Sequence, residues 1–417
     1  MQQRQRQQQQ QQQQQQPAAP APAAPTRRPA RSSAPAPRRP AVRASAAAAA
    51  APAPAPPSYL SKPNDQVRVL VAGPTGYIGK FVVKELVARG YQVFALSREN
   101  AGIKGKLGRA DVERELAGAT VVFGDPTDRA AVSRLLREGG LPGGAGPDVV
   151  VSCLASRTGG KKDSWRVDHD ASKNVFDAAA EAGAEHLVLL SAICVQRPLL
   201  EFQRAKLALE ESIAGNAAAA SGPSYSIVRP TAFFKSLAGQ IKLVSEGKPY
   251  VMFGDGTLAA CKPISERDLA RFIADCVRPS AEASEGAPRG TLNAVLPIGG
   301  PGEAMTARDQ ADALFRLARV KPNYFPVPVA LMDGIISALD LLARLFPQME
   351  DSAEFGRIGR YYATESMLVW DEARRAYDAD ATPSYGADTL EAFFERALRE
   401  GLAGQELGDQ AVFGVNE

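Results

Sequence analysis

Two histidines and four cysteines in 417 residues leave this chain little with which to hold a metal. Cys153, Cys194, Cys261 and Cys276 stand apart without C-x-x-C spacing, so neither a zinc site nor an iron–sulfur cluster is indicated, and packing in a reducing compartment suits them. His169 and His186 are too few for a histidine metal site. No apolar run reaches the length of a membrane span. The nearest, Val327 to Phe346, is interrupted by Asp333, Asp340 and Arg344. Its Met332, Ile335, Ile336, Leu339, Leu342 and Phe346 recur at helical spacing, which predicts an amphipathic helix packed on the core in preference to a membrane surface.

Acidic residues are missing from the first 64 positions, which hold eight arginines, one lysine and a glutamine run from Gln7 to Gln16. The stretch is too poor in aromatic and β-branched residues to bury a core and predicts a disordered leader. Arginine and serine without acids is also the composition of an organellar transit peptide, and Val42-Arg43-Ala44 before Ser45 looks like a stromal cleavage region. Without the leader's nine cations, 40 of the 49 Lys and Arg remain against 46 Asp and Glu. The rest of the chain is therefore mildly acidic, which argues against a nucleic-acid partner.

What the sequence does have is VRVLVAGPTGYIGK, Val67 to Lys80: an apolar strand, a glycine turn and the start of a helix. Gly73, Gly76 and Gly79 are spaced G-x-x-G-x-x-G, where a tight turn and close backbone approach to a pyrophosphate leave no room for a Cβ. The free N–H groups and positive dipole end of the helix then face the phosphates. Thr75, Tyr77 and Ile78 lie within the same cradle. Beyond it, strands and helices alternate, predicting an α/β fold with a doubly wound parallel Rossmann sheet. Strands are expected at 92–96, 120–124, 149–154, 186–191 and 224–228, and helices at 77–89, 129–138, 164–182 and 199–215. After Pro230 the alternation loosens, with short strands near 250–253 and 292–295. The expected organisation is a leader at 1–64, an NADP-binding domain at 65–230 and a smaller mixed substrate lobe at 231–417 that shares some sheet elements with it.

Strand two ends in Ser97-Arg98, about twenty residues past the turn, where an acid would bind the ribose of NAD and a base accommodates the 2′-phosphate of NADP. Arg98 therefore favours NADPH, with Lys104 and Lys106 as added positive charge. Asp125 is placed to accept from the adenine amine. Leu154, Ala155 and Ser156 follow strand four, where the nicotinamide ribose would pass, and Pro230 and Phe233 follow strand six as further cofactor contacts. In extended short-chain reductases a serine ends strand five and a Tyr-x-x-x-Lys helix follows. Here Ser191 is present, but the helix reads Phe202-Gln203-Arg204-Ala205-Lys206. Phenylalanine has no proton to give, so alcohol–ketone chemistry through that position is excluded.

Long strings then carry a resemblance: GPTGYIGK, VVVSCLASRTGGKKDSW, LLSAICVQRPLLEFQRAK, YSIVRPTAFFKSLAGQ, CKPISERDLA and FGRIGRYYATESML, among others between Val67 and Gly408. With these the chain resembles the plant and algal 3,8-divinyl chlorophyllide 8-vinyl reductases, atypical short-chain reductases. The resemblance implies NADPH as cofactor without flavin, a divinyl tetrapyrrole that carries its own magnesium as substrate, and a place in the chloroplast, with peripheral contact to a thylakoid or envelope membrane. It implies Lys206 and Ser191 as catalytic residues. Phe202, Phe233 and Phe234 are expected as apolar walls for the macrocycle, and Arg357, Arg360 and Tyr361 as its carboxylate or rim contacts. The residues alone leave open an isoflavone-reductase-like enzyme or a non-catalytic NADP-binding regulator.

Overall fold

Runs of valine, leucine and isoleucine with no polar alternation are what a strand buried on both faces requires, and the chain supplies them in series. A computed structural model describes residues 58–401 except 102–104, 106, 138–139, 218–221, 280–289 and 347–349. Residues 1–57, where the transit peptide is expected, and Lys104 and Lys106 lie outside the described residues.

The strands are β1 (Arg68–Ala72), β2 (Gln92–Ser97), β3 (Thr120–Phe123), β4 (Val149–Ser152), β5 (His186–Leu190), β6 (Ser224–Pro230), β7 (Tyr250–Phe253), β8 (Ala260–Cys261), β9 (Ala294–Ile298), β10 (Met305–Thr306), β11 (Tyr324–Val327), β12 (Val369–Asp371) and β13 (Ala376–Asp378). The main helices are α1 (Gly79–Ala88), α2 (Arg109–Glu115), α3 (Arg129–Arg137), α4 (Ser172–Glu181), α5 (Glu201–Ala217), α6 (Glu266–Cys276), α7 (Ala307–Ala318), α8 (Val329–Leu345), α9 (Glu350–Thr364) and α10 (Leu390–Glu400). Seven strands form one sheet in the order β3-β2-β1-β4-β5-β6-β9, and every pairing is parallel. Every residue of β4 and β5 is buried. One face is covered by α1 and α6 through Val82, Val83, Leu86, Leu269, Phe272 and Ile273. The other is covered by α3, α4 and α5.

The stretch expected as a short strand near 292–295 is β9, and it closes the edge of the main sheet beside β6. The boundary at residue 230 is thus crossed by β9 and α6, both of which complete the cofactor-side layers. A third cluster, with Phe234, Phe315, Phe393 and Phe394 at its centre, holds the remaining lobe together. The expected leader ends earlier than residue 64. Tyr59 is fully buried, its hydroxyl donates to the Val277 carbonyl at 2.7 Å, and Arg278 donates to the carbonyls of Leu60 and Lys62. A buried aromatic ring whose hydroxyl has a partner is reason enough for this segment to pack.

His186 marks where sheet and α6 meet. Fully buried, it contacts Ser224 Oγ at 2.8 Å through Nδ1, and Ser226 Oγ at 3.2 Å and the Cys276 carbonyl at 3.0 Å through Nε2. Burial pulls its pKa down to about 3 from 6.5. The unfolded chain then binds a proton that the folded chain does not, so stability is complete above about 6.5 and lost as pH falls toward 3. Urea titrations across that window are expected to show a slope steeper in the wild type than in His186→Gln by about 1.4 kcal/mol per pH unit.

Candidate functional site

In a parallel sheet the strand carboxyl ends share one edge, and β1, β4, β5 and β6 are adjacent there. After β1 the chain turns at Gly73 with φ +76°, and a Cβ on it would stand 3.0 Å from the Cys153 carbonyl carbon and oxygen. Gly79 opens α1 so close to the turn that its Cβ would fall 2.1 Å from the Gly73 oxygen. The N–H of Gly76 donates to Gly73 O at 3.1 Å, while those of Tyr77, Ile78 and Gly79 find no acceptor among the described residues. This is a fit for a dinucleotide: bare backbone where a Cβ would intrude, and donors left over at a helix start. Thr75 is half-buried in the same turn. The Tyr77 ring packs between Phe81 and Phe233, at 6.4 and 6.1 Å, with the Lys235 ammonium 4.6 Å from its centre, and its buried hydroxyl has no partner among the described residues.

At the β2 end Arg98 is exposed. Its neighbour Glu99 is paired with Arg109, whose guanidinium lies 4.5 Å over the Phe123 ring. Asp125 Oδ1 accepts from the Thr127 N–H at 2.9 Å and hydroxyl at 2.8 Å, so part of that carboxylate already serves a local turn. Leu154 and Ala155 remain accessible after β4, and Ser156 is buried. Pro230 ends β6 buried, and Phe233 bridges to Ile264.

The chemistry gathers at Lys206 of α5. Its ammonium is 3.0 Å from Asp168 Oδ1, with the two side chains 8% and 1% exposed. The Lys206 charge also reaches two thiols that follow strands, Cys153 after β4 and Cys194 after β5. Burial pushes the first up to about 12 and the second up to about 11, and the nearby ammonium offsets this in part. Asp168 was not singled out from the sequence. It lies in Ser164–Ala171, which is wound as a π-helix before continuing into α4. Such wider turns recur at functional sites because they reorient one side chain. The other oxygen of Asp168 accepts from the Ser156 N–H at 3.3 Å, linking the loop after β4 to Lys206. Its neighbours Trp165, Arg166 and Asp170 are exposed, and the sequence carries no signal that sets Asp168 apart from them.

Several expected roles change. Ser191 lies immediately after β5 as expected, but its hydroxyl donates to Glu210, which Arg229 holds through Nε at 3.2 and 3.1 Å. A hydroxyl committed to a buried carboxylate has no hydrogen to give a substrate, so Ser191 is part of a support beneath the site. Phe234 is 1% exposed and meets Phe393 at 5.5 Å, which makes it lobe core and not a wall. Arg357 binds Asp340 and Glu354, and Arg360 binds Asp333, so both guanidiniums tie α9 to its neighbours and are spent before a substrate arrives. Tyr361 is buried, its hydroxyl donating to the Cys194 carbonyl at 3.3 Å. Phe202 is half-buried against Cys194, Leu200, Tyr361 and Ile358. Phe202 and Phe233 remain the accessible aromatics along this edge. Tyr362, beside Tyr361 on α9, is also exposed.

Residues 73–279 match the family model described as NAD(P)H-binding. The chain is 56% identical to the chloroplastic divinyl chlorophyllide a 8-vinyl-reductase of Cucumis sativus, over 85% of this chain and 82% of that protein. The protein of the same name from Zea mays is 55% identical over 85% of each. Among solved structures, an Escherichia coli NADPH-dependent quinone oxidoreductase complexed with NADPH has TM-score 0.52 at 18% identity, covering 79% of this chain and 99% of that one, and so shares the fold.

Two glycines with the same backbone sign separate cradle from strain. Gly73→Ala is expected to raise the NADPH dissociation constant by at least about tenfold, about 1.4 kcal/mol. Gly90 has φ +81° with nothing within 4 Å of its Cβ position. Gly90→Ala should cost about 1 kcal/mol of stability with NADPH affinity unchanged. Fluorescence titration and urea unfolding of both variants check this, and equal affinities would remove the cradle assignment.

Proposed function

The chain belongs to the divinyl chlorophyllide a 8-vinyl-reductase family, and we propose that it reduces the 8-vinyl group of divinyl chlorophyllide a to ethyl in the cleft along the carboxyl ends of β1, β4 and β5. The observation that carries the assignment of roles is the buried Lys206–Asp168 pair beside the glycine cradle, with phenylalanine at position 202. NADPH, when bound, supplies hydride to the terminal vinyl carbon, and the negative charge that develops on the inner carbon spreads over the conjugated ring.

The chain's own part is positioning and the proton. A vinyl group needs no acid against an oxygen, which is why Phe202 can stand where other reductases place tyrosine. The Lys206 ammonium gives its proton to the inner carbon, so that one hydride and one proton convert –CH=CH2 to –CH2–CH3. Asp168 holds that ammonium toward the cleft and is itself fixed by the Ser156 N–H. Phe202 and Phe233 flank the macrocycle and exclude water. Gly73, Thr75, Gly76, Tyr77, Ile78 and Gly79 hold the pyrophosphate. Arg98, with Arg109 beside it, takes the 2′-phosphate, and Asp125 meets the adenine. Holding nicotinamide C4 against one vinyl and away from the other supplies most of the rate. The enzyme acts in the plastid, in peripheral contact with a thylakoid or envelope membrane.

Purified protein with NADPH is expected to convert divinyl to monovinyl chlorophyllide a, read as a blue-shifted Soret band and a changed chromatographic retention. Folded protein that binds NADPH and leaves the pigment unchanged would overturn the reading and return the chain to the regulators. Lys206→Ala should lower kcat by about a hundredfold or more, since a positioned proton donor contributes on that scale. Arg98→Ala should raise the KM for NADPH by about tenfold and leave that for NADH unchanged, as the loss of one charge-assisted phosphate contact predicts.

A further inference from the structure

Helix α8 has its polarity reversed. Its sequence, VALMDGIISALDLLARL, carries two acids, and both turn toward α9: Asp333 binds Arg360 and Asp340 binds Arg357. Ile336 is its one buried residue. Leu331, Ile335, Leu342 and Leu345 recur at intervals that place them on the opposite side, and they are 56%, 52%, 41% and 69% exposed. Phe325 and Phe346 add exposed rings just before and just after the helix. The expectation of an apolar face packed on the core therefore fails. The charges face the protein, because Arg357 and Arg360 offer them partners, and the apolar side faces out.

We infer that this outward face of α8 is a docking surface for a lipid bilayer. A lipid surface fits better than a second copy of the helix, for two reasons. Helices that pair along a seam carry acidic and basic residues on its flanks to set register and partner. Here the flanks are Met332, Gly334, Leu339 and Leu341, so the apolar stripe is broad and unmarked. The ion pairs with α9 also take both acids off the outward side, leaving that side without an acid to repel anionic headgroups. No helix among the described residues is long and apolar enough to cross a membrane, so α8 lies in the interface plane.

The position gives the contact a purpose. Helix α9 is held between α8 and the site: Glu354 accepts from the Glu201 N–H at 2.9 Å, Tyr361 donates to Cys194, and Asp351 accepts from the Lys161 N–H at 3.3 Å. Seating α8 on lipid brings the cleft to the layer where an apolar macrocycle dissolves. This deepens the membrane contact proposed above, and its test needs no turnover.

Flotation of the protein with phosphatidylcholine vesicles, with and without phosphatidylglycerol, reads the contact directly. Wild-type protein is expected to float, more with the anionic lipid. The variant Leu331→Gln/Ile335→Gln/Leu342→Gln/Leu345→Gln should lose at least about tenfold in bound fraction and keep its turnover of detergent-dispersed pigment. Should that variant misfold, Phe325→Trp provides a second readout, a blue shift of its emission on adding vesicles. Wild-type protein that stays unbound, a variant that floats equally well, or a tryptophan whose emission does not move would overturn the inference. So would a wild-type dimer in sedimentation that the variant abolishes without any vesicle binding. Pigment reduced in detergent with no flotation would sink this surface and leave the reductase assignment standing.

Discussion

The constraint on which the site depends is between two pieces of backbone. The turn after β1 comes so near the segment after β4 that a single methyl on Gly73 would press on the Cys153 carbonyl. That approach fixes the separation of the two segments proposed to meet the phosphates and the nicotinamide, and the parallel pairing of β1 with β4 sustains it. Everything at the site is referred to this contact: α1 springs from the turn, Ser156 follows the loop, and Asp168 is bonded to that loop on its way to Lys206.

Burying the Lys206–Asp168 pair is costly in desolvation and gains little as a stabilising device, because two ions leave water to meet in a nearly dry space. A chain built for stability alone would do as well with apolar side chains there. The pair makes sense as a held charge. The π-helical winding of Ser164–Ala171, which gives up regular hydrogen-bond geometry, has the same character: a local cost accepted where one carboxylate must point correctly. The adjacent Ser191–Glu210–Arg229 network is fully engaged and stiffens the ground beneath the pair.

The positions of the first six strands and the glycine turn into a helix were legible in the sequence because each rests on local information: an uninterrupted apolar run, a glycine spacing, a helix start. The parallel partner of β6 was not, since Ala294–Ile298 looks like any short strand until the sheet edge it must cover is known. The same lack of long-range information misplaced side chains. Arg357 and Arg360 look free in a one-dimensional string and become bound once α8 supplies Asp340 and Asp333. Phe234 follows a strand's carboxyl end, as a pocket wall would, yet the chain bends and delivers it to Phe393. Asp168 escaped notice because nothing in sequence separates a buried helix acid from a solvated one.

The seventh strand has a consequence for how the protein is made. A ribosome releases β1 through β6 before α6 and well before Ile298, so for a time one face lacks α6 and β6 is an open edge with unpaired N–H and C=O groups. Until Cys276 and Val277 are made, His186 and Tyr59 also lack the carbonyls they bond. The nascent chain thus exposes an edge strand and an apolar layer together, the two features that most invite misassociation. Completion of the sheet therefore waits on a strand from the C-terminal half of the chain.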